Sequence, residues 1–305
     1  MTHENAACQS GTAWTEEQAC QSAQALLATV DMGDAGLELL RFGNNAVFRA
    51  GQRYVIRVAR PDTPIAHIRQ EVEVATALAD QGVPVARLAT LPVSQPLTAN
   101  DAYGTLWEYL PGAGEATYQQ FGALLRAFHA QTDTLAVQLP DWQPLASARR
   151  RLDVLAGQYP PEDIALLEHW YERIQDALSQ LEPALPEGII HGQAEIGNVL
   201  LRDGQPVFAD LERVAHGWRE WDLIDTAVTT LRFNQPRDRY QAFAAAYEYD
   251  VMVWPGFLTL RRVWELRATT WLMQARDHRP EIADEVQGRL GTWRDDDPDA
   301  VWHGF

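Results

Sequence analysis

The sequence predicts an α+β chain of two lobes, a small antiparallel sheet with one main helix first and a larger, mostly helical part second. Three observations predict it. Short β-branched and aromatic runs with tight turns crowd the region before residue 110. Helical periodicity dominates after residue 116. Between them "LPGAGEA", residues 110–116, holds a Pro and two Gly and reads as a linker. The expected division is 1–109 for the sheet lobe, 110–116 for the hinge and 117–305 for the helical lobe.

The elements follow in order. A helix over about 14–28 opens the pattern, with Thr15 as N-cap and acids in its first turn. "LELLRF", "AVFRA" and "YVIRVA" form a three-stranded meander that turns at "GNN" and "GQ". In the next helix Thr63 is the expected N-cap, Pro64 the first position and Gly82 the stop. Ile65, Ile68, Val72, Ala75 and Leu78 share its apolar stripe. "PVARLATLP" and "AYGTLWEYL" are two further extended runs. Beyond the linker, helices are expected at 116–131, 144–157, 161–181, 220–231, 236–248, 257–276 and 280–290. A hairpin, "NVLLRDGQPVFADLE", interrupts them and turns at Asp203-Gly204.

Composition narrows the class. An apolar content of 46% over 305 residues supports a sizeable core. The formal charge of −17 argues against nucleic acid or an anionic membrane as partner, since both repel it. It suits a cationic small molecule. No apolar run reaches membrane-spanning length and no signal pattern is visible, so a cytoplasmic location is expected. Cys8 and Cys20 form neither a metal-ligand spacing nor a disulfide framework. All 25 basic side chains are Arg, so any role usually taken by Lys falls to Arg. The Trp-rich C-terminal part, with Trp254, Trp264, Trp271, Trp293 and Trp302, is expected in the core.

"HGQAEIGN", residues 191–198, has the outline of a phosphoryl-transfer loop with an amide, Gln193, in place of a carboxylate. Such chemistry needs a cover over the phosphates, a cation anchored by a carboxylate, two metal ligands and a group that orients the attacking hydroxyl. Gly43, Asn44 and Asn45 in the first hairpin turn offer the cover. Arg57 offers a permanently charged, bidentate cation. Glu71 lies closer than Glu73 to the sheet-facing stripe and is its expected anchor. Asn198 and Asp210 flank the hairpin, whose fold brings both to one edge, where they could share Mg²⁺. Glu212 is read as an exposed acid in preference to a further ligand. His191 is read as a packing residue that fixes the loop. Asp222 is expected to bond back to the loop or to cap the next helix.

"HGQAEIGNVLL", "VFADLE", "REWDL", "FGNNAVFRA", "YVIRVARP" and "LWEYLPG" together resemble the aminoglycoside phosphotransferase and choline kinase-like superfamily, from about residue 37 to about 230. "GALLRAFHAQT" fits the helix that superfamily places after its hinge. The resemblance implies a protein-kinase-like fold, with ATP or another NTP and Mg²⁺ in the cleft between a nucleotide-binding lobe and a substrate lobe. It implies adenine on the hinge backbone from Glu108 to Leu110, Arg57 on the phosphates with Glu71 beside it, and Asn198 and Asp210 on the metal. It implies a hydroxyl-bearing small molecule, aminoglycoside-, amino-sugar- or choline-like, against the later helices. Glu265, Asp277 and Glu281 are candidate acids there. Two residues depart from the pattern: Arg57 stands for Lys, and Gln193 for the catalytic Asp. Gln can accept a hydrogen bond but cannot take up a proton. The first reading is therefore a kinase with atypical or reduced catalysis, with Glu195 as a substitute carboxylate. The second is a pseudokinase that binds nucleotide or a small molecule. An engineered residue that traps a complex, and a scaffold that binds no nucleotide, rank below these.

Overall fold

The computed structural model describes residues 14–43, 45–111, 114–275 and 280–304. Helix α1 (Glu16–Ala28) starts on a capping box. Thr15 Oγ1 accepts from Gln18 N (3.2 Å), and Gln18 Oε1 accepts from Thr15 N (3.0 Å). Its buried side, Ala19, Ala23, Leu26 and Leu27, joins the core of the sheet lobe. The sheet is antiparallel, in the order β1 (Leu37–Phe42), β2 (Asn45–Ala50), β3 (Tyr54–Ala59), β5 (Ala102–Glu108) and β4 (Leu97–Ala99). Arg57 lies in the middle strand, opposite Val47 on one side and Thr105 on the other.

The expected meander is present. "PVARLATLP" differs: it forms no strand and touches its neighbours through isolated bridges. Proline at both ends withholds two N–H groups from any ladder. The segment instead ties the two lobes together. Ala86 N donates to Phe208 O (2.6 Å), and Phe208 N donates to Pro84 O (3.0 Å). The fifth strand comes from the later β4.

Helix α2 (Ile65–Asp80) begins one residue later than expected. Pro64 is its N-cap, and no side chain caps it; Gly82, at φ 80°, ends the turn beyond it as expected. The buried stripe runs through Ile68, Glu71, Val74, Ala75 and Leu78, with Val72 only half-buried. It is rotated so that an acid faces inward. A buried acid is tolerable only when a partner charge meets it, and Arg57 does so.

All seven helices expected in the second lobe form, with ends moved by a few residues. They are α3 (Tyr118–Gln131), α4 (Ala146–Leu155), α5 (Pro161–Ser179), α6 (Trp221–Arg232), α7 (Arg237–Tyr247), α8 (Phe257–Met273) and α9 (Pro280–Asp295). Between α5 and α6 lie β6 (Gly188–Ile190), β7 (Val199–Arg202), β8 (Gln205–Phe208) and β9 (Ala215–Gly217). β7 and β8 are the expected hairpin. Asp203 and Gly204 turn it at φ 52° and 78°, the left-handed pair a two-residue loop requires. The pairing of β6 with β9 was not expected. Phe121 and Phe128 of α3 close on Phe208, and Phe121 also meets Phe243 of α7.

Two expectations fail in the helical lobe. Glu265 faces no ligand: it is fully buried and accepts from Arg232 Nε (2.6 Å), Arg261 Nε (2.7 Å) and Arg262 Nη1 (2.8 Å). Three cations hold it as a structural anchor. Trp254, Trp293 and Trp302 are buried as expected, but Trp264 and Trp271 are only half-buried and, with one edge of Trp302, line a cleft. Glu281 is exposed in the first turn of α9. Cys8, Asn44 and Asp277 lie outside the described residues. Among the described residues no helix is long and apolar enough to cross a membrane.

Candidate active site

The loop at residues 191–198 leaves β6 and enters β7, so the β6–β9 pair holds its start and the hairpin its end. Gly192 adopts φ 78°, and a Cβ there would collide with the Arg213 carbonyl oxygen. Only glycine fits. Asp222, in the first turn of α6, accepts from His191 N (2.6 Å) and Gly192 N (2.8 Å). The same carboxylate meets His129 Nε2 (3.0 Å), whose Nδ1 meets the Tyr247 hydroxyl (2.8 Å). His191 is fully buried, and its Nε2 donates to Ala209 O (3.0 Å). Burial pushes its pKa down, against the pull of Asp222 and Asp210. His191 and Asp222 thus hold the loop, as expected.

Gln193 follows. Its backbone carbonyl accepts from Asn198 Nδ2 (3.0 Å), while its side-chain Oε1 is buried with no hydrogen-bond partner. Asn198 is buried, and its Oδ1 is the remaining acceptor of that side chain. Ala209 N donates to Asn198 O (2.8 Å), so Asn198 and Asp210 sit side by side at the open end of the hairpin. Asp210 turns the chain in a left-handed conformation (φ 61°, ψ 62°), and one 3-10 turn, Leu211–Arg213, follows.

That turn carries Glu212 to the sheet lobe, where it is exposed as expected but also pairs across the lobes. Glu212 pairs with Arg57 and accepts from Asn45 Nδ2 (3.3 Å). Arg57 pairs at the same time with Glu71, as expected, while Glu73 is exposed. Burial works against the Arg57 cation, but Glu71, Glu212 and Asp210 outweigh it and hold the guanidinium above its ordinary value. Burial pushes the Glu71 carboxyl up to about 7, against the pull of Arg57. Sequence reasoning missed Arg41, whose Nη2 lies 3.6 Å from Asp210 Oδ2. Its signal was an Arg close to the "GNN" turn, at the end of "LELLRF".

The turn itself is tight: Gly43 N donates to Asn45 O (3.1 Å). Asn45 is committed to Glu212, so it ties the turn to the other lobe. On the hinge side, Glu108 N donates to Arg87 O (2.9 Å) and Tyr109 N to Arg53 O (2.8 Å). Leu110 follows, half-buried.

Two arginines and three carboxylates therefore meet between the lobes. The Nε atoms of Arg41 and Arg57 are buried without a partner. Orphaned cationic donors fit phosphate oxygens. The Asn198 amide oxygen and the Asp210 carboxylate fit a hard divalent cation such as Mg²⁺. Among the described residues no group of three or more His, Cys, Asp or Glu is arranged to hold a metal. A cation here would complete its shell from phosphate and water. Beside the loop, a cleft of about 1110 Å³ is lined by Gln193, Glu195 and the faces of α6 and α8.

The family described as the phosphotransferase enzyme family matches residues 39–290. No curated protein matches the chain in sequence. Solved structures are similar in fold. An amicoumacin kinase, solved with AMP-PNP, Ca²⁺ and its ligand, superposes with a TM-score of 0.74 at 15% identity, covering 95% of this chain and 96% of that one. A microcompartment-associated aminopropanol kinase gives 0.68 at 18%, covering 90% and 95%. A choline/ethanolamine kinase family protein from Mesorhizobium loti gives 0.64 at 20%, covering 91% and 94%.

Proposed function

Because the chain belongs to the phosphotransferase enzyme family, we propose that it transfers the γ-phosphoryl group of ATP, or another NTP, to a hydroxyl of a small molecule. One observation carries the reading: Arg57 is anchored by Glu71 beside Asp210, and its Nε is left without a partner. Arg41 and Arg57 would hold phosphate oxygens, beside the turn that Gly43 and Asn45 close. Asn198 Oδ1 and Asp210 would hold Mg²⁺, which when bound neutralises charge on the phosphates. The base would lie on the backbone from Glu108 to Leu110. The Glu108 N–H is already spent on Arg87, so Glu108 can offer its carbonyl. The amicoumacin kinase neighbour, solved with AMP-PNP and Ca²⁺, supports a nucleotide with a divalent cation.

The acceptor would sit in the cleft beside Gln193. Gln193 Oε1 accepts a hydrogen bond from the substrate hydroxyl and so orients its oxygen. That oxygen bonds to the γ phosphorus, the bond from phosphorus to the bridging oxygen breaks, and ADP leaves. Gln193 cannot take the proton, which passes to Glu195, in the same loop and cleft, or to water. Losing a matched general base costs about 10²–10⁴ in rate, whereas positioning and charge neutralisation are retained. The result is a slow kinase.

The test is titration with AMP-PNP, with and without Mg²⁺, followed by incubation with ATP and a panel of hydroxylated amines and sugars, read by mass spectrometry. Nucleotide binding with a phosphorylated product is the expected outcome. Absence of nucleotide binding sinks the reading. Binding without turnover across the panel favours the pseudokinase alternative.

A further inference from the structure

The acceptor of that transfer can be narrowed by the cleft, and this step rests on the phosphotransferase reading. On α8, Trp264, Arg267, Ala268 and Trp271 fall at i, i+3, i+4 and i+7, so one helix face lines the space. On α6, Asp225 and Thr229 do the same at i and i+4, and Phe233 follows at the end of the helix. Trp264, Trp271 and Phe233 are half-buried and give the cleft an aromatic wall. Trp264 is fixed in place. Its Nε1 donates to Asp225 Oδ1 (3.0 Å), and its ring stacks on Trp302 at 6.4 Å and 26°.

Trp271 is different: its Nε1 is buried with no acceptor. A buried polar atom without a partner is rare and marks a place where something else bonds. Two residues that line the cleft thus each carry a buried polar atom without a partner, the donor Trp271 Nε1 and the acceptor Gln193 Oε1. Ala268 lies between the two tryptophans on the helix and is the small residue of that face.

Charge points the same way. The chain carries −17, yet among the described residues the cleft wall holds four carboxylates, Glu115, Glu195, Asp225 and Asp238, against three arginines, Arg239, Arg267 and Arg289. The acidity of the molecule is not concentrated here. A polycation is drawn by a wall of one sign, and this wall is nearly balanced. Ring faces recruit flat rings and tolerate a single cation.

We propose that the phosphoryl acceptor is a hydroxylated small molecule with a flat aromatic or fused-ring body, an oxygen acceptor for Trp271 and at most one positive charge. Its ring lies between Trp264 and Trp271 over Ala268. Trp271 Nε1 donates to the body, and the hydroxyl reaches Gln193. An open polycationic sugar does not satisfy this wall.

The test is calorimetric titration of the whole chain with three probes, each with and without AMP-PNP and Mg²⁺. Propranolol carries a naphthyl ring, an ether oxygen, one amine and a hydroxyl. Aminopropanol keeps the amine and hydroxyl without the ring, and gentamicin is a polycationic sugar. Propranolol should bind at least about tenfold more tightly than either. Ala268→Leu, which fills the space between the rings, should weaken it at least about tenfold. Trp271→Phe, which keeps a ring and removes the donor, should weaken it about threefold to tenfold. Both variants should retain AMP-PNP affinity, and melting curves check their fold. Equal or tighter binding of aminopropanol or gentamicin overturns the inference. So does undetectable propranolol binding, or propranolol affinity that neither variant changes. Nucleotide binding without a ring preference overturns this inference alone. A ring preference without nucleotide binding overturns the phosphotransferase reading and keeps the aromatic site.

Discussion

At residue 193 an amide oxygen is buried beside the cleft with no partner, and at residue 71 a carboxylate is buried against an arginine. Each defines a measurement. Restoring the carboxylate with Gln193→Asp should raise kcat about 10²–10⁴-fold with little change in nucleotide affinity. No change would place the proton acceptor elsewhere, and Glu195→Ala should then abolish turnover. For Glu71 the sign follows from its raised pKa. Between the ordinary value of 4.5 and about 7, the folded chain holds a proton that the unfolded chain has released. Stability contributed by that proton therefore falls as pH rises through this window. The urea midpoint of the parent should drop between pH 5 and pH 8 by more than that of Glu71→Gln. Equal slopes would show that Glu71 titrates normally. Glu71 also shows what periodicity can and cannot reveal. Its place near the inward stripe was legible, but the double pairing of Arg57 with Glu71 and Glu212 depends on an acid 141 positions beyond Glu71.

The loop between β6 and β7 is positioned by elements that are distant in sequence. α6 supplies Asp222, α3 supplies His129 and α7 supplies Tyr247. Asp222→Ala would leave two buried N–H groups unpaired, at about 1–3 kcal/mol each, and would loosen the loop. Denaturant unfolding should show that loss, and activity should fall further than folded fraction alone explains. Gly192→Ala forces a Cβ against Arg213 O at a left-handed φ. It should cost at least about 1–3 kcal/mol by the same measurement; a neutral result would mean that the loop can move aside. The hairpin β7–β8 was legible because Asp203-Gly204 dictates its turn locally. The extended run at 84–92 was misjudged for the converse reason. One of its two bridges goes to Trp107 in β5 and the other to Phe208 in the other lobe, and no local pattern announces the second.

For the whole molecule, the site joins two lobes through charge. Arg57 from the sheet meets Glu212 from the helical lobe, and Arg41 meets Asp210. A ligand that bridges these groups should stabilise both lobes together. AMP-PNP with Mg²⁺, at about a hundredfold excess over Kd, should add about 2.7 kcal/mol to unfolding and raise Tm. Asp210→Ala should lose the Mg²⁺-dependent part of that rise. An unchanged Mg²⁺ response in the variant would remove Asp210 from the metal site.

By itself the sequence determined the two-lobed α+β plan, the helices of the second lobe, the hairpin and the nearness of Asn198 to Asp210. These rest on periodicity, turn chemistry and strand pairing between near neighbours, which are local forces. Tertiary structure alone decided the rest. It paired Glu212 with Arg57 across the lobes, made Glu265 a buried anchor for three arginines, and gathered Trp264, Trp271 and Trp302 into a wall beside Gln193. Those outcomes depend on which charges and rings from remote segments are desolvated together, a quantity that no window along the chain contains.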